Sequence, residues 1–121
     1  MKKNTLFLFG AISWFVISTI LLTLPGNNFP KEDWLDKIGF DKWVHIGLFA
    51  IMAWLWCMAK GKENRQFFYK IGIACLAYGI AMEFVQGNLI PNRSFDGGDI
   101  IADGVGAIIG VLYSIRGLKK N

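Results

Sequence analysis

Residues Glu83 to Gly110 read EFVQGNLIPNRSFDGGDIIADGVGAIIG, and this stretch decides the fold. It sets Glu83, Gln86, Arg93, Asp96, Asp99 and Asp103 beside or inside segments that are otherwise apolar enough to sit in lipid. An ionisable side chain at the centre of a membrane helix costs roughly 2.5–3.5 kcal/mol on insertion scales. Several of them in one place mark a region that uses them.

The surrounding composition supports the lipid setting. Hydrophobic residues make up 54% of the 121 positions, charged residues 18%, and the mean hydropathy is +0.40. A soluble domain of this size needs a more polar surface. The net charge of +4 does not form a basic stripe of the kind that binds nucleic acid, so no nucleic-acid partner is expected. Cys57 and Cys75 lie inside apolar segments and read as buried small side chains, with no metal-ligand spacing.

Four apolar runs emerge, at about 5–24, 42–59, 67–86 and 99–115. About 20 helical residues, at 1.5 Å each, cross the roughly 30 Å hydrocarbon core. The first run is charge-free and follows Lys2 and Lys3. It is long for a cleaved signal peptide, and Thr23-Leu24-Pro25-Gly26 lacks a small-x-small cleavage site. Between the first and second runs, Phe29–Phe40 is amphipathic, with Trp34, Leu35, Ile38 and Phe40 against Lys31, Glu32, Asp33, Asp36 and Lys37. That pattern predicts a short helix lying in the interface. The expected architecture is all-α: a single domain over 1–121, an integral bundle of four transmembrane helices with one interfacial helix.

An even number of spans places both termini on one side. If that side is cytoplasmic, nine basic residues lie inside (Lys2, Lys3, Lys60, Lys62, Arg65, Lys70, Arg116, Lys119, Lys120) and four outside (Lys31, Lys37, Lys42, Arg93). The positive-inside rule favours this orientation in an inner membrane. Asp41 and His45, one turn apart at the start of the second span, then share a depth with Glu83 and Gln86 at the end of the third. Asp99 and Asp103 at the start of the fourth join them, on the extracytoplasmic side.

On the fourth span Asp96, Asp99, Asp103, Gly106 and Gly110 fall on one helical face. Its outer half is acidic and its inner half is glycine. Gly106-Ala-Ile-Ile-Gly110, with Ala102 one turn earlier, is a small-xxx-small pattern that permits close helix approach in lipid. Packing there turns the aspartates into the bundle.

The ordered set Asp41-Lys42-Trp43-Val44-His45, Glu83-Phe84-Val85-Gln86, Pro91-Asn92-Arg93-Ser94-Phe95, Asp99, Gly106 and Gly110 resembles the VanZ-like family of small bacterial membrane proteins. The likeness covers roughly Phe40 to Gly110. One departure is Asp103, where family members usually carry Asn; the added carboxylate changes the charge balance of the site. The resemblance implies a role at the bacterial cell envelope, in a family named for low-level resistance to the glycopeptide teicoplanin. It implies no agreed chemical mechanism.

The residues leave several functions open. A polar pocket of Asp41, His45, Glu83, Gln86, Arg93, Asp99 and Asp103 can bind or modify a lipid-linked or cell-wall molecule beside membrane lipid. His45, Glu83 and Asp99 are the candidate acid–base groups, and Arg93 is suited to a phosphate or carboxylate. No nucleophile motif accompanies them, so catalysis stays open. Alternatively, the same groups form a buried network that fixes the bundle, since polar groups in a membrane need partners whatever the function. Ion or proton conduction fits less well, because the second to fourth spans carry no charge at mid-depth. His45, Glu83, Asp99 and Asp103 are acceptable metal ligands by type, but no metal motif joins them. Neither a metal nor a cofactor is expected, and the sequence does not specify an oligomeric state.

Overall fold

The computed structural model describes residues 3–23, 40–60, 65–90 and 97–119. The described elements are four α-helices: α1 (Lys3–Leu22), α2 (Phe40–Lys60), α3 (Arg65–Leu89) and α4 (Gly97–Lys119). All four are long and apolar enough to cross a membrane, and the chain is a multi-pass membrane protein. The interfacial helix expected over Phe29–Phe40 lies outside the described residues, except that Phe40 opens α2.

α2, α3 and α4 run further than the apolar runs. α3 continues past Gln86 to Leu89, and α4 starts at Gly97. Hydropathy marks only where side chains stop favouring lipid. The main chain stays helical beyond that point because each turn satisfies N–H and C=O groups that water reaches poorly. At the end of α1, Thr23 N–H donates to the carbonyls of Thr19 at 3.1 Å and Ile20 at 3.2 Å. The Thr23 hydroxyl adds a bond to Thr19 O at 2.8 Å, so the last turn closes on itself.

α2 occupies the middle of the bundle. It packs most extensively on α4, carries α1 on another side, and also touches α3, which lies mainly against α4. The α2–α4 seam is narrow because its residues are small. A methyl added at Gly106 would meet the backbone of Ile46, and one at Gly110 would meet Ala50 O and the Ala53 methyl. Backbones this close gain dispersion and weak Cα–H···O contacts, which lipid cannot supply. Phe49, Met52, Ala53, Cys57, Phe68, Ala107 and Val111 fill the interior around the seam. Both cysteines are buried and unbridged.

α1 is tethered rather than embedded. Its Trp14 indole donates to Leu48 O on α2 at 2.9 Å. The Thr19 hydroxyl bonds the Tyr78 hydroxyl on α3. Leu6, Phe9, Ile12, Val16 and Ile20 remain exposed along its outer side, as a helix facing acyl chains requires.

Candidate functional site

Antiparallel packing carries the N-terminal ends of α2 and α4 and the C-terminal ends of α1 and α3 to one end of the bundle. A polar cluster sits there. His45, Glu83, Gln86, Asp99 and Asp103 are 4%, 1%, 1%, 7% and 1% exposed, so their polar atoms depend on protein partners rather than on water.

The centre of the cluster is a histidine–aspartate pair. His45 lies one turn into α2, and Asp103 lies in the second turn of α4, directly across the seam that Gly106 narrows. His45 Nδ1 donates to Asp103 Oδ1 at 2.6 Å, the short distance of a charge-assisted bond. This bond orients the ring and leaves Nε2 as the edge that can accept a proton or donate one. Nε2 is 3.7 Å from Asp99 Oδ2. That is electrostatic range but beyond a hydrogen bond.

Asp99 is held from its other side. Lys42 Nζ donates to Asp99 Oδ1 at 2.7 Å, with the lysine side chain about a third exposed. Lys42 and His45 are three residues apart on α2, and Asp99 and Asp103 four apart on α4. Each helix thus presents two polar groups one turn apart on the facing surface. The ladder runs from the partly exposed Lys42 inward through Asp99 and His45 to Asp103.

α3 forms the third wall. Gly79 lies against Asp103: a methyl added there would come within 2.7 Å of Asp103 Oδ2 and 3.0 Å of its Cβ. Glycine lets the carboxylate settle between α2 and α3. Glu83, one turn further along α3, is buried. Gln86, one turn nearer the bundle end, points toward α1, where its Nε2 donates to Leu22 O at 2.7 Å. A carbonyl at the end of α1 thereby gains a partner that the helix itself cannot provide.

The structure brings together His45, Glu83, Gln86, Asp99 and Asp103 of the residues singled out in the sequence. It places Asp103 as the direct partner of His45. Arg93 and Asp96 lie outside the described residues, as does the side chain of Asp41 in the first turn of α2. Ala102 is buried on α4 between Asp99 and Gly106. Lys42 and Gly79 were missed as members of the cluster. Lys42 counts as an orienting charge when read for topology. Its spacing of three from His45 is the signal that it shares that face. Gly79 is four before Glu83 and seven before Gln86, which likewise puts it on their face.

The described cluster holds three carboxylates against one ammonium and one imidazole. Among the described residues no group of three His, Cys, Asp or Glu side chains is arranged to hold a metal ion.

Residues 4–117 match the family model described as VanZ/LLP1. No curated protein and no solved structure matches the chain.

Proposed function

The chain belongs to the VanZ/LLP1 family, and from that premise we propose that its polar cluster binds a lipid-linked or cell-wall molecule at the extracytoplasmic side of the inner membrane. The observation that carries the proposal is the His45–Asp103 pair at 2.6 Å. A carboxylate fixes the ring, while the Nε2 edge, 3.7 Å from Asp99 Oδ2, makes no hydrogen bond among the described residues. A group bearing a hydroxyl or amine hydrogen completes that edge, and Lys42 and Asp99 frame the approach to it. Arg93, in the segment joining α3 to α4, is assigned to a phosphate or carboxylate of the same ligand. The nine-to-four distribution of basic residues supports cytoplasmic termini and an outward-facing cluster. In this reading a link to glycopeptide resistance follows from occupancy of a cell-wall intermediate, and no bond needs to be broken.

The test is mass spectrometry of envelope lipids retained through purification. The native chain retains one polar-headed species above the lipid background. His45→Gln loses it while its thermal unfolding in detergent stays near the parent's. Equal retention by His45→Gln, or a background lipid profile in the native chain, refutes pocket binding. In parallel, deleting the gene lowers teicoplanin tolerance, and only a copy retaining His45 restores it.

A second reading has its own observation. The Gln86–Leu22 and Lys42–Asp99 bonds each tie different helices together, as a purely structural network does. It predicts that substitutions at Gln86, Asp99 and His45 all lower stability in proportion to the bonds removed, with no retained ligand in any of them.

A further inference from the structure

From just below the polar cluster toward the other end of the bundle, α3 and α4 leave a gap between them. The gap is a cleft of about 310 Å³, lined by Tyr69, Ile73 and Leu76 of α3 and by Gly104, Ile108 and Leu112 of α4. Its walls are almost wholly apolar, and Tyr69, Ile73, Ile108 and Leu112 are half or more exposed. Gly72 and Gly104 lack the side chains that would fill its floor. A Cβ on Gly104 would reach no closer than 3.4 Å to the Leu76 side chain, an ordinary contact. A Cβ on Gly72 would come to 3.1 Å from the Val111 side chain, a tight contact.

The cleft has a charged end. Arg65 is one turn before Tyr69 on the same face of α3, and Arg116 is one turn after Leu112 on α4. Because the two helices are antiparallel, both arginines come to the same end of the cleft, away from the polar cluster. Both are exposed, and among the described residues neither forms an ion pair with a carboxylate. An apolar cleft with two exposed arginines one helical turn beyond its lining at one end matches one class of molecule in chemistry.

We propose that this cleft holds one acyl chain of an anionic phospholipid, with its phosphate bridged by Arg65 and Arg116. Guanidinium groups bind phosphate through paired N–H donors. A basic residue near the membrane surface strengthens binding of an anionic lipid by about fivefold. Anionic character in the headgroup matters because two cations lie at that end and neither pairs with a carboxylate among the described residues. This site is separate from the His45 cluster and does not depend on the ligand proposed for it.

Native mass spectrometry of the purified chain tests the idea. Phosphatidylglycerol and phosphatidylcholine with identical acyl chains are added in turn. The native chain retains one phosphatidylglycerol in preference to phosphatidylcholine. Arg65→Gln with Arg116→Gln lowers that preference by about tenfold or more but keeps weak binding of both lipids. Ile108→Trp fills the cleft from an exposed position without disturbing a buried side chain, and it abolishes retention of both. Equal retention of the two lipids by the native chain overturns the proposal, as does an unchanged preference in the double arginine variant. A dimer that Ile108→Trp abolishes, with no lipid adduct on the monomer, also overturns it and assigns the cleft to a second copy.

Discussion

Replacing Gly106 with alanine adds a single methyl group and should loosen the whole bundle. The added Cβ would come to 3.0 Å from both the carbonyl carbon and the Cα of Ile46, with the Ile46 oxygen nearer still. Carbon atoms in good contact sit about 3.5–4.0 Å apart, so α2 and α4 must separate by about half an ångström or more. The obstacle is main chain, which cannot rotate away as a side-chain tip can. Overpacking ordinarily costs about 1–3 kcal/mol, and this rigid neighbour places Gly106→Ala near about 3 kcal/mol. Gly110→Ala meets Ala53 Cβ at 2.8 Å and Trp54 N at 3.1 Å and should cost a similar amount. The double variant should cost less than the sum, because one separation accommodates both methyls. Gly47 is the control: nothing lies within 4 Å of an added Cβ, so Gly47→Ala should stabilise by about 0.5–1 kcal/mol through reduced chain freedom. Reversible unfolding by titrated denaturing detergent reads all four variants. A loss below about 0.5 kcal/mol at Gly106, the ordinary range for surface substitutions, refutes the close backbone contact. So does an effect of the same sign and size at Gly47.

Three further outcomes can be checked. His45→Ala strands the buried Asp103 carboxylate and should cost about 3 kcal/mol or more. His45→Ala with Asp103→Ala should cost less than that single change, because no unpaired charge remains; detergent unfolding of both variants reads the difference. Gln86→Leu removes the donor to Leu22 O and should cost about 1 kcal/mol, with protease susceptibility rising first at the end of α1. For topology, impermeant thiol reagents should label cysteines introduced at Asn28 and Asn92 in intact cells, and one at Lys62 only after permeabilisation. Cys57 and Cys75, buried at 0% and 5% exposure, should stay silent in that assay, and labelling at Lys62 from outside refutes the orientation.

Much of this arrangement can be read from the chain because lipid punishes error. Charges and glycines in apolar runs stand out, and the depth of Glu83, Asp99 and Asp103 follows from counting along spans. The 3.6-residue period places Asp99, Asp103, Gly106 and Gly110 on one face of α4, and the structure turns that face toward α2. What the sequence does not carry is pairing across helices. Nothing in the order of residues says that α4 lies between α2 and α3, so the preference of His45 for Asp103 over Asp99 emerges only from packing. Lys42 was concealed for a related reason. A lysine at the start of a span serves equally as a topological charge and as a ligand of Asp99. Helix ends were misplaced by a few residues because hydropathy follows side chains, whereas main-chain hydrogen bonds determine where a helix stops.

The His45–Asp103 bond joins residues 58 positions apart, and the Lys42–Asp99 bond spans 57. A ribosome delivers α2 to the membrane well before α4 exists. Until then a lysine and a histidine wait at the edge of the bilayer without their carboxylates, and α4 later enters with two acids that have no water to turn to. Each helix is a poor lodger in lipid alone and a good one beside the other. α4, made after α2, thus supplies the carboxylates that let Lys42 and His45 settle in the bundle.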